Sequence, residues 1–302
     1  MIYHFEKANL CRQLETVIDY IRWSVSVFNS TDVYFGHGTD NAWDEAVALV
    51  LQALSLPHDC DPRIMTARLL EDEKHKIIGW IEKRVVEHKP LPYIAGRAWF
   101  ANLEFYVDDR VLIPRSPIAE LIDNQFEPHI DIDKMSRILE LCTGSACIAV
   151  ALAIHFPEVQ ITATDISQDA LVVAKSNIDK HDMSDRIELI LTDLFPPIGD
   201  KYDLIIANPP YVTQEEMRLL PAEYQCEPAL ALVAGDKGLD IVHRILKQAK
   251  HFLTEEGALI CEVGATQDLL MEAYPDLPFI WLSFEKSEDG VFLLYAADLA
   301  SF

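Results

Sequence analysis

Tyr202-Asp203-Leu204-Ile205-Ile206-Ala207-Asn208-Pro209-Pro210-Tyr211 is the stretch that decides how the rest of the chain is interpreted. Its first part is an apolar, strand-like run, and the polar amide Asn208 follows where this strand would end. Open α/β sheets bind ligands at the carboxyl ends of their strands. The two prolines fix the backbone φ twice and remove two backbone donors. The stretch therefore predicts a stiff group of hydrogen-bond acceptors at the end of a buried strand.

This group of acceptors suits a particular kind of substrate. The side-chain oxygen of Asn208 and the main-chain carbonyl of Pro209 can both accept hydrogen bonds from one –NH2 group. A carboxamide or the exocyclic amine of a nucleic-acid base offers such a group, and the ring of Tyr211 can pack on its plane. An ordinary Pro-Pro turn after a strand is the alternative interpretation of Pro209 and Pro210.

Strand-like and helical patterns alternate regularly on both sides of this stretch. Short strands separated by helices indicate an α/β fold with a doubly wound, mostly parallel sheet. The last two strands are separated only by the turn-rich residues 286–290, so we expect the final strand to be antiparallel. The pattern predicts seven strands, at 138–142, 159–163, 187–191, 202–206, 258–263, 279–284 and 291–295, and helices at 147–156, 168–180 and 239–252.

Residues 1–90 show helical periodicity instead. Apolar residues recur every three or four positions from Leu10 to Phe28, which predicts one helix there. Asp40 or Asn41 can cap a helix that begins at Ala42, and a third helix is expected to begin at Asp61. We therefore predict three parts of the chain: a helical substrate-recognition domain at 1–90, a β-hairpin linker at 91–115 and a catalytic domain at 116–302.

Four successive strands of the predicted sheet end in polar residues or glycine. The first leads into Thr143, Gly144, Ser145 and Ala146 and then a helix, which is where a nucleotide-like cofactor meets a helix N-terminus. After the second strand, Asp165 can accept hydrogen bonds from ribose hydroxyls, although it could instead cap the following helix. After the third, Asp193 can take an adenine amine and Leu194 can cover the ring. With Asn208, these residues predict one cofactor site.

Charge and cysteine content narrow the classes of function. The 302-residue chain has 49 acidic and 25 basic residues and a formal net charge of −24. We find no basic patch, so nucleic acid is not expected as a direct partner, whereas a basic protein would be attracted. Six cysteines include no C-x-x-C pair, and neither a signal peptide nor a membrane span is evident. These features predict a cytoplasmic protein without a metal site.

An acid after the second strand combined with Asn-Pro-Pro-Tyr after the fourth resembles the class I S-adenosylmethionine-dependent methyltransferases that modify amide or amine nitrogen. Within them, the chain is most similar to the glutamine N5-methyltransferases related to the release-factor enzyme, and to their branch that modifies large-subunit ribosomal protein three. The similarity covers nearly the whole chain. It rests on the stretches at 35–43, 112–117, 220–224, 227–228 and 260–264.

The resemblance implies the cofactor, the reaction and the roles of individual residues. S-adenosyl-L-methionine would be the cofactor, and a glutamine side chain of a basic ribosomal protein would be the substrate. Asn208, Pro209, Pro210 and Tyr211 would hold the glutamine. The cofactor would be contacted by Thr143, Gly144, Ser145, Ala146, Asp165, Asp193, Leu194 and Asn208, with Phe100 and Arg115 closing over it from the hairpin.

Ala146 departs from the family pattern, which has glycine at this position. A methyl group there is tolerated if φ is negative, and we expect weaker cofactor binding if φ is positive. This departure leaves a non-catalytic cofactor-binding protein of ribosome assembly as one alternative. A release-factor glutamine methyltransferase and an adenine N6-methyltransferase are the others. The sequence does not determine the oligomeric state.

Overall fold

The computed structural model describes residues 6–197, 199–285 and 290–299. The chain forms two compact units. One contains the chain up to Arg97 together with the later segment Leu220–Cys226, and the other contains Ala98–Leu219 and the chain from Glu227 onward. The sequence pattern placed 220–226 in the catalytic domain and treated the hairpin as a linker. The functional domain boundaries at 90 and 115 stay a prediction.

The first unit is helical. Its apolar side chains are buried between successive helices, because each helix carries one apolar face. The single helix predicted from Leu10 to Phe28 is wrong: Thr16 separates two helices and forms a capping box with Asp19. The helix predicted from Asp61 is instead a short 3-10 turn, Pro62–Thr66. The helices are α1 (Lys7–Gln13), α2 (Val17–Asn29), α3 (Ala42–Ala53), α4 (Glu71–Val86) and α5 (Leu91–Ala95).

Two short strands follow, β1 (Arg97–Phe100) and β2 (Leu103–Tyr106), and they pair as the predicted hairpin. The two residues between them, Ala101 and Asn102, have φ values of 46° and 60°. Positive φ at both central positions matches the twist of a two-residue hairpin turn. The chain then reaches α6 (Ile118–Asp123).

The second unit is built on a seven-stranded sheet flanked by helices, as predicted. Along the chain, its elements are β3 (Arg137–Leu141), α7 (Cys147–His155), β4 (Gln160–Asp165), α8 (Gln168–Lys180), β5 (Ile187–Leu191), β6 (Tyr202–Ala207), α9 (Gln214–Leu219), α10 (Asp240–Ala249), β7 (Leu253–Gly264), α11 (Gln267–Ala273), β8 (Ile280–Trp281) and β9 (Gly290–Tyr295). The strand order is β5-β4-β3-β6-β7-β9-β8. The last strand, β9, pairs antiparallel with both neighbours, which confirms the expected antiparallel end.

The core lies on both faces of this sheet. Alternate residues of the central strands, such as Leu139 and Ile205, pack against one layer of helices, while Ile138 and Leu204 pack against the other. Strands buried on both faces need continuous apolar sequences, which is why their positions could be predicted. β8 is shorter than the predicted strand at 279–284. The predicted turn at 286–290 lies almost wholly outside the described residues.

Strand register brings the predicted site residues to one edge. Leu141 at the end of β3 is paired with Thr164 of β4 and with Ala207 of β6. The residues that follow Thr164 and Ala207 are Asp165 and Asn208. Both therefore lie at the carboxyl edge that β3, β4 and β6 share. Asp165 itself is the last residue of β4 and pairs with Leu191 at the end of β5.

Candidate functional site

A cleft opens at this carboxyl edge, within the second unit. It is lined by the loops that follow β3, β4, β5 and β6 and by residues of the segment between β2 and α6. Most of the site residues predicted from the sequence meet here. They are Arg115, Thr143, Gly144, Ser145, Asp165, Asp193, Leu194, Asn208 and Pro210.

The loop between β3 and α7 turns sharply through alternate left-handed residues. Cys142, Gly144 and Ala146 have φ values of 58°, 55° and 61°. A Cβ built on Gly144 would meet no atom within 4 Å. Gly144 therefore presents backbone to open space at the point where the helix α7 begins.

Ala146 has a positive φ, the condition under which weaker cofactor binding was expected. It is nevertheless fully buried in the hydrophobic core and does not line the cleft. Its methyl group therefore packs into the protein and leaves the cleft free. The cost of alanine here is backbone strain, since L-residues disfavour the left-handed region.

Asp165 fastens this loop to the next one. Its Oδ2 accepts a hydrogen bond from the Gly144 amide at 2.9 Å, and its Oδ1 accepts one from the Ser167 amide at 2.8 Å. Ser167 is the N-cap of α8, so helix capping is not the role of Asp165. Burial raises the pKa of Asp165 even though these backbone hydrogen bonds work in the opposite direction. Each carboxylate oxygen retains a further lone pair for a ligand.

Asp193 and Leu194 follow β5, in line with the sequence prediction. The Asp193 carboxylate is 2.7 Å from the guanidinium of Arg244, which also lines the cleft. Leu194 is buried with a φ of 69°, and its carbonyl accepts a hydrogen bond from the Thr164 hydroxyl at 2.6 Å. This bond fixes the residue that would cover a ligand ring. Sequence reasoning missed Arg244, because nothing local links it to Asp193.

The Asn208–Tyr211 stretch lies at the same edge. Asn208 and Pro210 line the cleft, whereas Pro209 is buried. Within the described part of the chain, no other residue hydrogen-bonds the Asn208 side chain. The phenol of Tyr211 donates a hydrogen bond to Glu262 Oε1 at 2.8 Å. Thus Asn208 keeps its amide available to the cleft while Tyr211 is engaged by the protein.

Arg115 and Phe100 differ in their placement. Arg115 lines the cleft and donates to Glu227 Oε2 at 2.9 Å, which also accepts the Ile113 amide at 3.0 Å. Phe100 is 4% exposed and belongs to the hydrophobic core on one face of the sheet. The structure thus brings Arg115 to the predicted site and does not bring Phe100 there.

Three buried polar residues near the cleft were not singled out from the sequence. Glu140 is 1% exposed and accepts the Thr143 hydroxyl at 2.5 Å, and burial raises its pKa to about 8. Glu262 and Ser116 hydrogen-bond each other at 2.5 Å. The signal that could have found the two acids is a glutamate inside an otherwise apolar strand, at Leu139-Glu140-Leu141 and Cys261-Glu262-Val263.

One group of potential metal ligands occurs among the described residues, in the helical unit. Cys11, Glu71 and His75 have ligand atoms within 4.8 Å of one another. The ammonium of Lys74 is 3.4 Å from Glu71 and donates to the Cys11 carbonyl. Because Lys74 already balances the charge, we assign no metal to this group.

No described helix is long and apolar enough to span a membrane.

Comparison with known proteins places this cleft in context. Residues 123–224 match the family model described as the methyltransferase small domain. A ribosomal protein uL3 glutamine methyltransferase of Francisella tularensis subsp. tularensis is 50% identical over 98% of this chain and 95% of its own length. A protein of the same name from Neisseria meningitidis serogroup B is 47% identical over 94% of each chain. A solved Pyrococcus furiosus methyltransferase is 17% identical and covers 64% of this chain and 89% of its own, with a TM-score of 0.47.

High identity over nearly the full length of both relatives, together with the family model, decides the assignment. The match with the Francisella protein covers 98% of this chain, and therefore most of both structural units. The chain belongs to the family of ribosomal protein uL3 glutamine methyltransferases.

Proposed function

We propose that this methyltransferase transfers a methyl group from S-adenosyl-L-methionine to the side-chain nitrogen, N5, of a glutamine in ribosomal protein uL3. The names of its relatives support the substrate. The observation that carries the proposal is the position of Asn208, whose side-chain amide has no partner among the described residues and faces the cleft that Gly144 and Asp165 also line. A substrate amide and a cofactor can therefore share one cleft.

The residues around the cleft fit the proposed cofactor. Gly144 leaves open space where its backbone faces the cleft, and Asp165 offers carboxylate lone pairs to ribose hydroxyls. The lining contains three acids and three arginines, Arg110, Arg115 and Arg244, so charged groups of either sign on the ligand can meet an opposite charge there. When bound, this cofactor supplies an electrophilic methyl group. Leu194 and Ile166 offer apolar contacts for an adenine ring.

Orientation of the glutamine amide is the main task of the protein in this reaction. An amide nitrogen is a poor nucleophile because its lone pair is delocalised into the carbonyl. Acceptors on Asn208 and Pro209 would hold both hydrogens of the –NH2 group and stabilise the positive charge that develops on nitrogen. No strong base is required, because the methylated nitrogen is acidic and loses a proton to water. Two acceptors that demand two donors also reject hydroxyl nucleophiles.

The charge of the chain supports a basic partner. A formal net charge of −24 attracts a basic ribosomal protein and speeds their encounter at low salt. The same charge repels duplex DNA and disfavours adenine methylation. We place the reaction in the cytoplasm, where newly made ribosomal protein is available.

One labelling experiment tests the proposal. The purified protein is incubated with methyl-labelled S-adenosyl-L-methionine and, separately, with uL3, a release factor and duplex DNA. We expect label in uL3, at a glutamine identified by mass spectrometry. Label only in the release factor or only in DNA would replace the proposed substrate. Calorimetric binding of the cofactor without transfer to any of them would support the non-catalytic alternative.

Asn208→Ala tests the role of the carrying residue. We expect the variant to lose transfer to uL3 while its dissociation constant for the cofactor stays within about threefold of the wild-type value, because the remaining cofactor contacts are unchanged. Asp169→Ala, an exposed acid on α8, serves as the control with unchanged transfer. Near wild-type transfer by Asn208→Ala would refute the proposed role.

A further inference from the structure

Glu262 joins two walls of the site through its carboxylate. It lies near the end of β7 and is 2% exposed. Its Oε1 accepts the phenol hydroxyl of Tyr211 at 2.8 Å, and its Oε2 accepts the Ser116 hydroxyl at 2.5 Å. Tyr211 belongs to the Asn-Pro-Pro-Tyr stretch, whereas Ser116 lines the cleft from the segment between β2 and α6. One buried carboxylate thus connects residues that are 95 positions apart in the chain.

We propose that Glu262 is a positioning residue for methyl transfer: it fixes Tyr211, and through it the acceptors of Asn208 and Pro209, relative to the wall of the cofactor cleft. This inference rests on the proposed function, since it assigns Glu262 to the orientation step of that reaction. Glu262 acts through Tyr211 and Ser116 and does not contact the substrate itself.

Two glycines pack against the ring and the backbone of Tyr211. A Cβ on Gly264 would lie 2.5 Å from the Tyr211 ring, and a Cβ on Gly238 would lie 2.2 Å from the Tyr211 carbonyl oxygen. The backbone of each glycine therefore packs closely on Tyr211, and both have positive φ values, 50° and 70°. Tyr211 is thus held at its backbone, at its ring edge and at its hydroxyl. Of these three, the hydroxyl contact is the one that a single side chain, Glu262, supplies.

The second partner of the Glu262 carboxylate is the Ser116 hydroxyl. Ser116 Oγ donates to Glu262 and accepts the Ile118 amide at 3.2 Å, so its orientation is set by the start of α6. The neighbouring Arg115 is held by Glu227. Because both residues line the cleft, the segment 113–116 forms a wall whose position is determined by two buried glutamates.

A glutamate suits this position better than its closest substitutes. Two hydroxyl donors converge on it, and a carboxylate can accept from both without presenting a donor of its own. Glutamine keeps the length but presents –NH2 to one hydroxyl. Aspartate keeps the charge but is shorter by one methylene, so it cannot reach both partners from the same backbone. Hydrogen bonds to a charged group contribute more than neutral ones, so we expect a measurable loss when either contact is broken.

The test compares Tyr211→Phe, Glu262→Asp, Glu262→Gln and the double variant Tyr211→Phe/Glu262→Asp in steady-state transfer to uL3. We expect Tyr211→Phe and Glu262→Asp each to lower kcat by about tenfold or more, while the cofactor dissociation constant changes by less than about threefold. Glu262→Gln should retain more activity than Glu262→Asp, because it still reaches Tyr211. The double variant should be little worse than either single variant, since both remove one shared interaction.

Tyr202→Phe is the matched control. It also deletes a buried phenol hydroxyl, which donates a hydrogen bond of 3.3 Å to the Thr162 hydroxyl. Neither residue lines the cleft. We expect it to change thermal stability by a similar amount without lowering kcat. A purely structural role for Glu262 would lower stability and leave kcat at saturating substrates unchanged, or would make the two single losses additive, and either result would overturn the proposal.

The wild-type protein in the same assay separates the two proposals. If the wild type transfers no label to uL3, the proposed function is wrong and the positioning role is wrong with it. If the wild type is active and the Tyr211 and Glu262 variants are equally active, only the positioning role is refuted.

Discussion

Buried acids have different partners in the two units of this chain, although Glu227 of the second unit is paired with Arg115. In the helical unit, Glu45 and Glu223 are 4% and 0% exposed and share the guanidinium of Arg84, at 2.6 Å and 2.8 Å. In the second unit, which contains the cleft, Glu140 is 1% exposed. Among the described residues no basic side chain pairs with it, and its carboxylate accepts a hydrogen bond from the Thr143 hydroxyl. Asp165 likewise accepts backbone amides.

The pKa values follow this difference. Burial alone would raise the pKa of Glu223, but hydrogen bonds from Arg84 and the Tyr34 amide lower it. Burial raises the pKa of Glu140 to about 8, against weaker hydrogen bonds from neutral groups. Acids that a protein buries without a cation of its own, and whose pKa is raised, are typical of functional sites. We therefore infer a structural role for the paired acids of the helical unit and a role at the candidate site for Glu140 and Asp165.

Removing the cation of the helical unit should have the largest effect on stability. Arg84→Met would leave Glu45 and Glu223 buried without the guanidinium that both carboxylates share, and it would also remove a hydrogen bond of 2.5 Å to the Tyr34 carbonyl. Arg84 itself is 1% exposed. Breaking a buried ion pair in this way costs about 3–5 kcal/mol. Urea unfolding followed by circular dichroism measures the loss of free energy of unfolding.

The control is Arg63→Met in the same unit. Arg63 pairs with Asp61 on the surface and its side chain is 90% exposed, so no measurable change is expected. If Arg84→Met were no more destabilising than Arg63→Met, the buried cluster would not have the structural role described here.

In the second unit, Asp165→Ala should lower the affinity for the cofactor. Its effect on the free energy of unfolding should be smaller. The variant loses the carboxylate offered to the ligand and the acceptor that orients the Gly144 amide. Loss of hydrogen bonds to a charged group predicts a dissociation constant higher by about tenfold to a hundredfold. Calorimetry with S-adenosyl-L-methionine measures it, and Asp169→Ala on the exposed start of α8 is the control. Unchanged affinity would remove Asp165 from the site.

The helices and strands could be predicted where burial imposes one repeating pattern. The central strands of the sheet are buried on both faces, and β6 shows the resulting uninterrupted apolar run, Leu204-Ile205-Ile206. The same reasoning failed between α1 and α2, because Leu14 and Val17 face the core on both sides of a break. The apolar spacing reports burial and not continuity of the helix. Thr16 with Asp19 three residues later was the local signal of that break.

The site was predictable as far as it depends on strand ends. Asp165 and Asn208 follow from the rule that parallel strands carry ligands at their carboxyl edge. The partners of Tyr211 and Asp193 were not predictable, because Glu262 and Arg244 are 51 residues away from them in each case. The grouping of 220–226 with the helical unit could not be predicted either, because its contacts, such as that of Glu223 with Arg84, join residues far apart in the chain.

A pH series sharpens the contrast for Glu140. Its folded pKa of about 8 lies above the ordinary value of 4.5, so the unfolded chain ionises first as the pH rises. Between these values the folded state holds more protons, and the stability of the wild type falls with rising pH because of this group. Glu140→Gln keeps the acceptor for Thr143 and removes the titration. Its melting temperature should gain a few degrees on that of the wild type from pH 5 to pH 8. A gap independent of pH would contradict the raised pKa.

The smallest effect is expected at Ala146, where the conformation and the packing act in opposite directions. Ala146→Gly relieves a left-handed backbone with φ of 61°, but it also removes a methyl group that is completely buried in the core. Each change is worth roughly 1 kcal/mol, so stability should change by less than about 1 kcal/mol. Because the methyl group does not line the cleft, the cofactor dissociation constant should stay within about threefold. A large gain in affinity on Ala146→Gly would mean that the alanine obstructs the site, and it would support the weaker cofactor binding expected from this departure from the family pattern.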